Sequence, residues 1–261
     1  MSLRPVLLAA VLAVAPVVVP AALPSAARAQ TAAEHVAIAD RERAMNPADA
    51  LAHYEAALKT DPNDFDALTK AAYAAIESGQ GAPDKDQQRA LYKQGEALAR
   101  RAIQARPNAA EGHFLLATAL GRTAQTLGAR DRIRYASDVR TEALEALKYD
   151  PRHAGALHVM GMWNAEIMRL NGFTRFMAKN FLGGQVFASA SWNDAQRYLE
   201  QAVQIEPERI THRIDLAQVY LDRGNKPKAR EELDAIAAAP VRELNDANYK
   251  RQAEALRDRT S

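Results

Sequence analysis

Four short stretches decide how this chain folds: ALKTDPND at 57–64, AIQARPNA at 102–109, ALKYDPRH at 146–153 and AVQIEPER at 202–209. Each has a proline, which lacks an N–H and cannot continue a helix, just past an apolar helical pattern. Small or apolar residues stand twelve, eight and five positions before that proline. They are Ala50, Tyr54 and Ala57 before Pro62, and Gly95, Ala99 and Ala102 before Pro107. Val139, Ala143 and Ala146 precede Pro151, and Ala195, Leu199 and Ala202 precede Pro207. Steps of four and three residues put each trio on one helix face. The same offsets recurring four times define a repeat.

After each proline comes a second pattern: an apolar residue, a small one, then an apolar or aromatic one three positions on. It reads Ala71, Ala72, Ala75; Leu116, Ala117, Leu120; and Leu216, Ala217, Tyr220, with Met160, Gly161 and the polar Asn164 as the one departure. Small residues at these steps let two helix backbones approach closely while larger neighbours fill the next interface. Here the chain resembles the tetratricopeptide repeat family, whose unit is a helix–turn–helix. The expected fold is all-α: a tetratricopeptide-type solenoid of about five helix pairs with an inserted short helix and a C-terminal capping helix. The pairs are expected at 31–44/47–60, 64–78/86–106, 109–127/130–149, 153–170/191–206 and 209–223/226–238, with a polar cap at 243–258. Asn46-Pro47-Ala48-Asp49 and Ser191-Trp192-Asn193-Asp194 read as helix starts, and Gly224-Asn225 as a tight turn.

The spacing is irregular. The prolines that end the repeats, Pro62, Pro107, Pro151 and Pro207, and then Pro240, lie 45, 44, 56 and 33 residues apart, against about 34 for a regular repeat. The longest gap holds an insertion at 171–190. Phe173, Phe176, Met177 and Phe181 fall on one face there, Gly183-Gly184 closes the turn, and Trp163 and Trp192 flank it. A short amphipathic helix is expected, either filling the concave surface as ordinary core or walling an apolar pocket. Arg175 and Lys179 are too few to argue for a membrane surface. The run Leu157-His158-Val159-Met160-Gly161-Met162-Trp163, this insertion and Leu216-Ala217-Gln218-Val219-Tyr220 resemble the regulator of microtubule dynamics protein family over 140–258, with the first half matching only as generic repeats. That resemblance implies a non-enzymatic binding domain with an inserted helix.

Residues 1–29 read as a signal peptide: Arg4, an apolar run from Val6 to Val19, and Ala27-Arg28-Ala29 before a cleavage at Gln30. The run is shorter than the ~20 residues that span a bilayer; an uncleaved anchor is the rival reading. An exported, periplasmic chain is expected, with residues 30–261 as one helical domain. The absence of cysteine excludes a disulfide framework, a thiolate metal site and a lipoprotein anchor. The net charge of +2 vanishes once Arg4 and Arg28 are removed, and no basic stripe with interleaved aromatics suggests nucleic acid.

Catalytic signatures are missing from the sequence. Gly79-Gln80-Gly81 has no preceding strand and reads as a loop. Asp61 to Asp66 mimics the start of a calcium loop but lacks its glycine and glutamate, and reads as a helix cap. His153 and His158 lie five apart on different faces, with no evident carboxylate beside either. No enzyme, cofactor or metal is expected. The leading expectation is a scaffold that binds an unknown protein or peptide in its concave groove. The alternative is a carrier of a small apolar ligand, a lipid or fatty acid, in a pocket walled by the inserted aromatic helix. Candidate lining residues are His158, Met162, Trp163, Phe173, Phe176, Phe181 and Trp192, with Asn164 and Arg169 as polar anchors.

Overall fold

Helices dominate the computed structural model, which describes residues 30–172 and 184–260, with backbone alone at 129–130 and 184–186. The expected signal peptide at 1–29 and the segment expected to form the inserted helix, with Phe173, Phe176 and Phe181, lie outside the described residues. Eleven α-helices occur among those described: α1 Ala32–Glu42, α2 Pro47–Leu58, α3 Phe65–Gly81, α4 Lys85–Ala105, α5 Ala110–Gln125, α6 Ala129–Tyr149, α7 Ala154–Arg169, α8 Trp192–Ile205, α9 Ile210–Asp222, α10 Lys226–Ala238 and α11 Asp246–Arg257. None is long and apolar enough to cross a membrane. They pair as the repeat predicts, and no strand occurs among the described residues.

Each helix packs on the next. The odd-numbered helices also meet one another, α3 with α5, α5 with α7, α7 with α9 and α9 with α11, and so form the inner layer of the curve. The twelve residues at the pre-proline offsets are all buried, as are all those of the second pattern. At the α7–α8 crossing, a Cβ added to Gly161 would stand 2.6 Å from Leu199 Cγ and 3.1 Å from the Ala195 carbonyl oxygen. The polar departure, Asn164, is explained at the same crossing. Its Nδ2 donates to the Met160 carbonyl at 2.8 Å, and its Oδ1 accepts from the Ser191 N–H at 3.0 Å, where the chain enters α8.

Local signals hold with two corrections. Ser191 caps α8 through the Asp194 N–H, Asp64 caps α3, and Gly224 takes the left-handed φ of +75° that its turn requires. Asn46 does not cap α2; its amide turns back to Glu42 at 2.8 Å. Gly79-Gln80-Gly81 is no loop but the last turn of α3. Glycine is needed at 79 because the Tyr92 ring lies where a Cβ would be, 2.4 Å away at Cε1.

The C-terminal segment does more than cap. After α10 the chain runs across the concave side to the opposite end of the array. The Leu244 N–H donates to the Ala44 carbonyl at 2.8 Å, and Asn245 Nδ2 to Glu77 Oε2 at 3.1 Å. Tyr249 of α11 donates its hydroxyl to Gln80. Residues 241–249 thus form a strap from the last helix pair to the first two.

Candidate ligand-binding cavity

The repeat register sets the inner surface. One and five positions after the small residue of each odd helix stand Tyr73 and Glu77 in α3, Thr118 and Arg122 in α5, and Met162 and Glu166 in α7. One turn apart, each pair shares a face, and all six line a cavity of about 810 Å³ beneath the strap's Glu243 and Leu244. The equivalent α9 pair, Gln218 and Asp222, is occupied differently: Asp222 takes the Gln218 amide at 2.8 Å and the Arg169 guanidinium at 2.7 Å.

The cavity has two characters. Phe114, Ile133, Val139, Val159, Met162 and Trp163 form an apolar wall from α5, α6 and α7. Trp163 is buried, its Nε1–H satisfied by the Ala136 carbonyl at 2.7 Å, and it stacks with Phe187 at 6.2 Å between ring centroids. The remaining wall is a network of ionisable groups. Arg209 donates to the Tyr73 hydroxyl, which donates to Glu243 at 3.2 Å. His158 Nε2–H donates to Asp215 at 2.7 Å, and His212 Nε2–H to Glu206 at 3.2 Å. His153 donates from Nε2 to Glu111 at 3.0 Å while its Nδ1 accepts from the Ala156 N–H. Both His153 and His158 therefore have carboxylates beside them, contrary to the sequence expectation, because α5 and α9 supply them across the inner layer.

Burial tunes this network. It pulls His212 down to about 4 against the opposing hydrogen bond to Glu206. Its Nδ1 is buried without a partner. Burial raises Glu77, and the nearby Glu243 carboxylate adds to that. Burial would also raise Asp215, but the hydrogen bond and charge of His158 hold it below the usual carboxylate range. Burial would lower Arg209, but Tyr73, Glu243 and Glu206 surround it and hold it above its ordinary value.

Of the residues singled out in the sequence, His158, Met162 and Trp163 line the cavity together. Asn164 serves the α7–α8 crossing, Arg169 is tied to Glu166 and Asp222, and Trp192 packs against the apolar cluster that contains Ala195, Leu199 and Leu216. Phe173, Phe176 and Phe181 lie outside the described residues. The sequence reading missed Tyr73, Glu77, Arg122, Arg209 and Asp215. A signal for part of this set was available: Glu77, Arg122, Glu166 and Asp222 are charged at one repeat-equivalent position. Among the described residues, no group of three or more His, Asp or Glu is arranged to hold a metal.

A family model described as Regulator of microtubule dynamics protein 1-3 matches residues 32–261, first half included. The chain belongs to that family. The mouse (Mus musculus) Regulator of microtubule dynamics protein 1 is 21% identical over 173 residues, 66% of this chain and 56% of the mouse protein. This family member thus spans about half the length of the curated relative it matches. Among solved structures, the thermophilic TPR protein TTC0263 of Thermus thermophilus is similar at a TM-score of 0.58 and 19% identity, over 86% of this chain and 98% of that one. YrrB, a TPR protein with an unusual peptide-binding site, gives 0.40 and 16%, over 84% and 92%. The likeness to TTC0263 makes this family member a helical-repeat protein of the tetratricopeptide type.

Proposed function

We propose that this family member is a non-enzymatic binding protein whose concave cavity holds a small ligand with an apolar body and a polar end. The observation that carries this reading is the cavity. Its 810 Å³ falls in the range of about 300–1,000 Å³ typical of small-molecule sites. One wall is aliphatic and aromatic, the other hydrogen-bonding. A protein partner entering from the concave side must first displace the strap. Trp163 reports on the cavity and Trp192 does not line it, so titration with decanoate should change tryptophan fluorescence, and Trp163→Phe should remove the change. A silent titration, together with native mass spectrometry showing no bound small molecule in protein taken from its own cells, refutes the reading.

One observation favours a second reading, a scaffold for a peptide. The strap is itself a stretch of polypeptide, irregular at 241–245, held partly by a main-chain hydrogen bond from Leu244 to Ala44. In-cell crosslinking that captures a defined protein partner, lost when the concave residues are changed, supports it. Export belongs to the same proposal: N-terminal sequencing of the mature chain should begin at Gln30, and an N-terminus at Met1 or Ser2 refutes cleavage.

A further inference from the structure

The inner layer of the cavity holds a cation that no carboxylate among the described residues contacts, although Glu77 and Asp215 attract it at longer range. The carboxylates around it are engaged: Asp215 by His158, Glu206 by His212, Glu243 by Tyr73, and Glu77 by Gln80 and Asn245. Arg209 is likewise held by Tyr73, with Glu243 and Glu206 at 3.6 and 3.7 Å. Arg122 differs. It lines the cavity from the middle of the inner layer, and no carboxylate among the described residues lies within 4.0 Å of its guanidinium. Its Nη1 reaches only Gln125 Oε1, at 3.5 Å, and the hydroxyl of Tyr249 on the strap helix lies against it.

A guanidinium is a planar fork of donors, and withdrawing it from water without an anion is costly. The group that completes it best is a carboxylate, which accepts two parallel N–H···O bonds. The apolar wall from Phe114 to Trp163 borders the same space, so an alkyl chain can lie there while its acid end meets the fork. The geometry points to Arg122 as the anchor for the carboxylate of an alkyl carboxylic acid. This assignment rests on the proposed reading of the cavity as a small-ligand site.

The experiment is calorimetric titration of the full chain with decanoate and with decanol, repeated on Arg122→Gln and Arg122→Lys. Wild type should bind decanoate about tenfold or more tighter than decanol, as a charge-assisted pair predicts. Arg122→Gln should bring decanoate to the level of decanol and leave decanol unchanged. Arg122→Lys, which keeps the charge but not the fork, should fall between. Decanoate should raise the melting temperature of wild type and leave that of Arg122→Gln unchanged. Equal binding of acid and alcohol by wild type overturns the inference alone, as does an equal loss of both in Arg122→Gln. Binding of neither overturns the reading of the cavity and the inference with it.

Discussion

Replacing Gly161 by alanine tests the close crossing on which the solenoid depends. The new methyl would stand 2.6 Å from Leu199 Cγ and 3.1 Å from the Ala195 carbonyl oxygen. Leu199 is fully buried and cannot swing out into solvent, and the oxygen belongs to the α8 backbone. The two helices must therefore separate by a few tenths of an ångström. Such overpacking costs about 1–3 kcal/mol, while alanine returns about 1 kcal/mol of helix propensity. A net loss of up to about 2 kcal/mol follows from these terms. Gly121, inside α5, is the control. A Cβ there would meet only Val139 Cγ2, at 3.9 Å, so the propensity gain arrives without a clash and Gly121→Ala should stabilise by up to about 1 kcal/mol. At this chain length 1 kcal/mol moves the melting temperature by about 2–4 °C. Far-UV circular dichroism melts should thus shift in opposite directions for the two variants. A Gly161→Ala melt raised as far as that of Gly121→Ala would refute the crossing as the reason for glycine.

The buried His212 makes folding sensitive to acid. Its value falls from 6.5 to about 4 on folding, so between those limits the unfolded chain binds the extra proton and stability declines as the pH drops. Denaturant titrations should show a loss approaching about 3 kcal/mol across that window, and His212→Gln should flatten the slope. Arg209→Ala removes the donor that organises Tyr73 and Glu243. Hydrogen exchange should quicken across 241–249 and stay unchanged in α6; equal protection throughout would deny the strap its polar fastening. Asn164→Ala leaves the Ser191 N–H without its acceptor and should cost about 1–3 kcal/mol, read as a lower melting temperature.

The inner and outer layers can be read from the sequence because their determinants are local. A proline ends a helix whatever surrounds it, and three residues on one face need no knowledge of distant partners. That is why the expected range 226–238 coincides with α10, and most other boundaries agree within two or three residues. Gly79 is misread for the opposite reason: its meaning depends on the Tyr92 ring of the next helix. The cavity's chemistry is hidden on a larger scale. Asp215 meets His158 across 57 residues, and Glu243 meets Tyr73 across 170. Neither pairing leaves a mark in local periodicity. His158, Met162 and Trp163 are legible because they share α7 with the repeat signal.

The hydrogen bond between Leu244 and Ala44 changes how the molecule comes apart. In an open array of helix pairs each end frays independently, and stability is close to a sum over neighbours. Here both ends share one fastening, so the array is a hoop, and loosening either terminus costs the contacts of both. Unfolding should therefore gather toward a single cooperative step. Refolding should include a late, slow event in which segments about two hundred residues apart find each other.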